Sequence, residues 1–266
     1  MCGVTQPGRS LAIVVPAYNE ESRLPRLLAT VAARQSEVLA AAGMTLTEVV
    51  VVDDGSTDGT RAVVDAFGGL GGRLRLIALA GNRGKGAAAR AGVLAVDADF
   101  VLVTDADLST PLEEVRALAA ALDDGHDVAM ASRGLSGSRI AVRQPVYREL
   151  AGKAFNRLFR LLTRLPYRDA QCGFKLYRLA TTRRAFELQR VDGFAYDAEL
   201  CVNARRLGLR IAEVPVEWRN DPETKVSLVG ASLEMALDLL RIAWRSRRPL
   251  PAGYDEPAVT RPGVAR

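Results

Sequence analysis

The sequence predicts an α/β fold with a mostly parallel sheet flanked by helices. Three observations lead there. Short apolar runs alternate with amphipathic segments through the first half, the pattern of βαβ units. Two of these runs, Val49–Val52 and Phe100–Val103, stop abruptly at acids, in Asp53-Asp54-Gly55-Ser56 and Asp105-Ala106-Asp107. In open α/β sheets, ligands bind beyond the carboxyl ends of strands. Each acidic cluster is therefore a candidate site, although a strand-end aspartate that only caps a helix is the plain alternative for either cluster alone. Finally, no stretch reaches the roughly 18 apolar residues of a membrane span.

The elements follow in order. Leu11–Pro16 reads as a strand. Glu20 to about Ala42 reads as a helix with Leu24, Leu27, Leu28 and Val31 on one face. After the strand Val49–Val52, Thr57-Asp58-Gly59-Thr60 leads into a helix through Val63, Val64 and Phe67, which the glycines at 68, 69, 71 and 72 end. Leu74–Leu79 is a strand, Lys85–Val96 a helix and Phe100–Val103 a strand. Pro111 suits the first turn of another helix, with Glu113 and Glu114 favourable there. Asp127–Ala131 is a further strand. The second half is less regular. Val146–Leu165 and Leu228–Arg245 have amphipathic helical spacing, with a short strand near Ile211–Val216. We expect a disordered segment over residues 1–10, one domain over 11–245 and a disordered basic, Pro-rich tail over 246–266.

Composition narrows the class. The chain has 266 residues, 48% hydrophobic and 25% charged, as in ordinary globular proteins. Cys2, Cys172 and Cys201 are far apart and odd in number, which fits a reducing compartment better than a disulfide framework. His126 is the only histidine, so a histidine-built metal site is excluded; it lies in a helix-ending turn, Asp123–Asp127. Met1–Ser10 is polar and does not read as a signal peptide. Residues 133–190 carry 14 Lys or Arg against 3 Asp or Glu, a net of +11 in a chain of +5. That segment points to an anionic partner. It lacks interleaved aromatics and any recognisable RNA or DNA motif, so nucleic acid is not expected.

The motif Pro16-Ala17-Tyr18-Asn19-Glu20, followed by Asp53-Asp54-Gly55-Ser56 and Asp105-Ala106-Asp107, each at a strand end, resembles the inverting glycosyltransferases of family 2. The resemblance covers about residues 11–245 and implies the GT-A fold, Rossmann-like, here with C-terminal amphipathic helices. Two further stretches, Asn82–Arg90 and Asp169-Ala170-Gln171-Cys172-Gly173-Phe174-Lys175, are similar to segments of dolichyl-phosphate β-glucosyltransferases. Those belong with the polyprenyl-phosphate glycosyltransferases, so the resemblance implies hexose transfer from a nucleotide-sugar donor to a polyprenyl phosphate acceptor.

It also implies roles. Pro16, Ala17, Tyr18, Glu20, Asp53 and Asp54 would meet the base and ribose, a carboxylate at Asp53 accepting the imide N–H of the base. Asp105, Ala106 and Asp107 form the DxD-type element, with Asp105 and Asp107 the candidates for Mg²⁺ or Mn²⁺ and Asp107 the better direct ligand. Where mannose synthases carry a glutamine two residues beyond, this chain has Ser109, which argues against copying that metal site. Lys85 would lie near the nucleotide-sugar in a phosphate cradle at a helix start; a glycine-allowed turn with solvated charges is the alternative there. Lys225 aligns with a loop lysine that closes over the diphosphate. Arg133, with Arg139 joining it, would bind the acceptor phosphate or the donor diphosphate, the acceptor being favoured, although Arg139 answers equally to a surface charge. Asp169 and Asp197 are the candidate catalytic carboxylates facing the sugar, and Asp197 also suits a helix N-cap.

The expected function is therefore metal-dependent, inverting hexosyl transfer, with UDP-glucose the favoured donor. A soluble hydroxyl acceptor and a GDP-mannose-dependent reaction are the alternatives. The two basic amphipathic helices suit an anionic membrane surface or packing on the domain. The expected location is cytoplasmic, peripheral to the inner face of the membrane.

Overall fold

The computed structural model describes residues 9–221 and 228–254, and side chains in the last stretch from 233 onward. The strands are β1 (Arg9–Ala17), β2 (Met44–Asp53), β3 (Leu74–Ala78), β4 (Phe100–Val103), β5 (Val128–Ser132), β6 (Arg139–Val142), β7 (Lys175–Arg178), β8 (Ile211–Pro215) and β9 (Glu217–Arg219). The α-helices are α1 (Leu24–Ala41), α2 (Thr60–Ala66), α3 (Lys85–Ala95), α4 (Val115–Asp123), α5 (Val146–Thr163), α6 (Leu179–Glu187), α7 (Tyr196–Arg206) and α8 (Leu228–Arg245).

Seven strands form one sheet in the order β3-β2-β1-β4-β7-β5-β8. All neighbours pair parallel except β7, which runs antiparallel to both β4 and β5. The valine runs are wholly apolar because both faces of the central strands are covered. Ile13, Val15, Val49, Val51 and Leu102 pack on one side with residues of α1 and α4. Val14, Val50, Val52, Val101 and Val103 pack on the other with residues of α3, α6 and α7. Gly92 of α3 allows this close approach, since a Cβ there would stand 2.4 Å from Val14 Cγ1.

Several boundaries differ from the sequence reading. β1 starts at Arg9 rather than Leu11, and Ser10 N and Oγ both donate to Asp99 Oδ2. β2 starts at Met44 rather than Val49, because buried Met44 and Leu46 alternate with exposed Thr45 and Thr47 before the continuous run. Pro111 leads into a 3₁₀ turn, Leu112–Glu114, before α4 begins. The short strands β6 and β9 form a separate parallel pair that periodicity did not reveal.

Helices α5 and α8 each divide into a packed and an open face. Phe159 of α5 and Leu239 and Ile242 of α8 are buried. Val146, Leu150 and Leu161 of α5 are exposed, as are Leu233, Leu237, Leu240 and Trp244 of α8. No helix among the described residues is long and apolar enough to cross a membrane.

Candidate active site

The carboxyl ends of β1, β2, β4 and β5 lie along one edge of the sheet. Because β7 is reversed, its amino end joins them: Lys175 stands opposite Val103 of β4 and Met130 of β5. The site is assembled along this edge, where sheet geometry favours a ligand.

The end of β4 delivers Asp105 and Asp107. Lys85, the first residue of α3, contacts Asp105 Oδ1 at 2.5 Å. Ser109 N donates to Asp107 Oδ1, and Arg26 holds the Asp107 carbonyl at 2.6 Å. Gly173 packs against Asp105, since a Cβ at 173 would lie 2.1 Å from Asp105 Oδ2. Burial, then the neighbouring Asp105 charge, raises the Asp107 pKa. Two neighbouring carboxylates at one strand end suit a divalent cation. Among the described residues no group of three or more His, Cys, Asp or Glu could hold a metal ion. Mg²⁺ and similar ions commonly take one or two carboxylates and complete their shell with substrate phosphates and water. Asp105 and Asp107 fit that kind of site.

The end of β2 is more enclosed. Asp53 is fully buried, with Oδ1 accepting from Ser56 N at 3.0 Å and Oδ2 meeting Arg61 Nε at 2.5 Å. Asp54 is committed to the next loop, its two oxygens accepting from Arg83 N and Gly84 N, each at 2.8 Å. Gly84 adopts φ 110° and Gly55 φ 74°, and side chains there would strike Asp192 O and the Gly81 carbonyl carbon. The loop thus sets the direction of α3 and of Lys85. Tyr18 is exposed at the end of β1, while Pro16 and Ala17 lie within that strand, Ala17 O accepting from Asp54 N. Glu20 pairs with Arg23 at 3.2 Å. Ala106 is buried in the core.

On the β5 side, Arg133 and Asp169 form a two-pronged pair. Arg133 Nε and an Nη atom donate to the two oxygens of Asp169 at 2.6 and 2.9 Å, and Arg133 N adds a third bond at 2.9 Å. Burial alone would raise the Asp169 pKa, but the Arg133 charge and hydrogen bonds outweigh it and hold the carboxyl at about 2. Glu213 of β8 fastens this corner from behind, accepting from Arg168 N, Asp169 N and Ser132 Oγ, each at 2.9 Å. Nearby, Lys175 Nζ reaches Asp197 Oδ1 at 2.6 Å and Cys172 O at 2.5 Å. Asp197 lies in the first turn of α7, and no side-chain bond caps that helix. The N-cap role is therefore not the one Asp197 plays. Burial, the largest influence, raises its pKa against the opposing charges of Lys175 and Lys85.

These groups bound a cavity of about 510 Å³. Lys85, Asp107, Arg133 and Asp197 line its polar end; Ala154, Phe155 and Leu158 of α5 and Met235 of α8 line its apolar wall. Arg148 of α5 also lines it, and Arg148 Nε is buried without a hydrogen-bond partner among the described residues. The structure thus brings Lys85, Asp107, Arg133 and Asp197 together, with Asp105 and Asp169 directly behind them. Arg139 is not brought in: it is 81% exposed on β6, 4.0 Å from Glu217. Lys225 lies outside the described residues. Sequence reasoning missed Arg148, Lys175 and Glu213 as site residues. Arg148 was legible only as one of several arginines along α5, and Lys175 only as the end of a motif.

A family model described as Glycosyl transferase family 2 matches residues 12–186. The dolichyl-phosphate beta-glucosyltransferase of Drosophila melanogaster is 35% identical over 257 residues, 90% of this chain and 78% of that protein. The Homo sapiens protein of the same name is 33% identical over 247 residues, 90% of this chain and 76% of that protein. Among solved structures, glucosyl-3-phosphoglycerate synthase from Mycobacterium tuberculosis, in complex with Mn²⁺ and UDP-glucose, superposes with a TM-score of 0.65 at 21% identity. The match covers 89% of this chain and 79% of that one. At that identity the likeness concerns the fold, which is the GT-A arrangement expected from the sequence.

Proposed function

The chain belongs to glycosyl transferase family 2 and is a glycosyltransferase, and from that premise we propose that it moves glucose from UDP-glucose to a polyprenyl phosphate. The observation that carries this reading is the chemistry of the cavity. It offers cations, Arg133 and Arg148, the latter with an unpartnered Nε among the described residues, and its carboxylates are engaged: Asp169 to Arg133, Asp197 to Lys175 and Asp221 to Arg23, with Asp107 assigned to the metal. A hydroxyl acceptor needs a group to take its proton. A phosphomonoester, with a second pKa of about 6, is already a nucleophile near neutral pH. The names of the relatives, which specify dolichyl phosphate, support the same acceptor class.

In this reading the donor diphosphate lies over the β4 end, beside Lys85. Asp105 and Asp107 would hold Mg²⁺ or Mn²⁺, which when bound offsets the charge gathering on the leaving diphosphate. Lys85 adds a fixed cation at the same place, its pKa raised by Asp105 and Asp197 against the opposing effect of burial. Arg133, oriented by Asp169, and Arg148 bind the acceptor phosphate from the opposite side. A phosphate oxygen attacks the anomeric carbon as the bond to the nucleoside diphosphate breaks, which inverts the centre. Asp197 accepts a sugar hydroxyl and orients the ring. The apolar wall from α5 and α8 takes the first isoprene units. The exposed apolar residues of both helices, with Arg157, Arg160 and Arg164 nearby on α5, form the membrane-facing side.

The test is transfer from radiolabelled UDP-glucose to a polyprenyl phosphate, followed by partition between butanol and water. Label should enter the organic phase only with a divalent cation present. Label retained in water, on a hydroxyl-bearing small molecule, would replace this reading with a soluble-acceptor transferase.

A further inference from the structure

A second cavity, of about 570 Å³, lies beside α5 and reaches Trp218 of β9. It shares Arg133, Gln144, Arg148 and Gly152 with the first, but Lys85, Asp107 and Asp197 line only the first. Its own cations are Arg143, Lys153, Arg157, Arg160 and Arg168. Only two carboxylates line it, and both are already paired, Glu149 with Lys153 at 2.6 Å and Asp169 with Arg133 at 2.6 Å. That leaves Arg143, Arg148, Arg157, Arg160 and Arg168 without an ion-pair partner among the described residues. Neither Arg157 nor Arg168 has a side-chain acceptor there, and Arg148 Nε is buried with none.

So many uncompensated arginines in one recess repel one another and raise the affinity for a compact polyanion. Guanidinium groups grip phosphate oxygens in pairs. We propose that this recess is a second phosphate site, separate from the catalytic cavity, that takes a phosphate monoester carrying two negative charges. It differs from diffuse attraction to an anionic surface: it holds one ligand and prefers a dianionic group over singly charged diesters. Because Arg133 and Arg148 face both cavities, its occupancy is coupled to the grip on the acceptor.

The chemistry is shared by a lipid headgroup and a free phosphate, and one experiment separates them. Soluble dihexanoyl phosphatidic acid is titrated calorimetrically into the full chain, with saturating UDP and Mn²⁺ present. Dihexanoyl phosphatidylglycerol serves as the singly charged control, and inorganic phosphate as competitor. We expect two equivalents of phosphatidic acid to bind, one at the acceptor arginines of the catalytic cavity and one in this recess, the second at least about tenfold tighter than phosphatidylglycerol. The R157Q/R168Q variant should bind the recess equivalent about tenfold more weakly or worse and keep the one at the acceptor arginines, with an unchanged thermal midpoint, since both side chains are exposed. Displacement by inorganic phosphate at comparable concentration assigns a free phosphate ligand; resistance to it assigns a lipid headgroup. Equal binding by the variant, equal binding of the two lipids, a single equivalent per chain, or more than two would overturn the proposal. None of these readouts requires sugar transfer, so a failure of the transferase reading is seen separately.

Discussion

Replacing Asp169 by Asn tests whether its carboxylate serves chiefly to hold Arg133. The carboxyl is almost fully buried and lies at a pKa of about 2, against an ordinary value of 3.8. A folded pKa below the unfolded one stabilises the protein above the unfolded value and loses that stabilisation as pH falls through the folded one. The gap is worth roughly 2 kcal/mol above pH 5, and about 1 kcal/mol of it is gone by pH 3. D169N removes the charge and one acceptor, leaving a largely buried guanidinium without its partner. The cost at pH 7 should be about 2–4 kcal/mol. Urea unfolding of both proteins from pH 7 to pH 3 measures this. The two stability curves should run parallel above pH 5 and converge below pH 4. A gap that stays constant to pH 3, or a loss under about 0.5 kcal/mol at pH 7, would refute the buried-pair account.

Three further outcomes follow from the same geometry. Asp107→Ala should abolish transfer without unfolding the chain, and UDP-glucose should no longer raise its thermal midpoint in the presence of Mn²⁺, whereas wild type responds. Arg148→Met should raise the acceptor KM or lower kcat by about tenfold or more, while the calorimetric affinity for UDP-glucose stays within about twofold of wild type. Lys175→Met should cost about 3–5 kcal/mol in urea unfolding, because it leaves Asp197 buried and unpaired; a loss under about 1 kcal/mol would mean that Asp197 is not held ionised by Lys175.

The sheet was legible where strand and carboxylate are contiguous in the chain. Val49–Val52 and Phe100–Val103 are buried on both faces, and such strands are continuous apolar runs. Their terminal acids then mark the edge where ligands bind. The helices with clear apolar faces were legible for the same local reason. β6 and β9 were not: they are four and three residues long, β6 is mostly exposed, β9 buries only Trp218, and they pair with each other without a pattern in either segment. The fate of the exposed residues on α5 and α8 was also out of reach, since amphipathic spacing shows that two faces exist but not which of them the domain covers.

The site was legible only as far as motifs carry single residues. What joins them is β7, a four-residue strand that begins at the last residue of the Asp169–Lys175 motif and that the sequence reading passed over. A parallel strand in that position would begin at the far edge of the sheet and carry the preceding loop away from β4. Reversal puts the start of β7 beside the end of β4, so the loop before it crosses the site. That one topological choice sets Asp169 under Arg133, presses Gly173 against Asp105 and aims Lys175 at Asp197. The buried lysine is tolerable because two acceptors, Asp197 and Cys172 O, meet it at once. Strand direction depends on which neighbours a segment finds, a long-range property. It explains why a motif that reads as a loop in sequence becomes the piece that ties both halves of the cavity together.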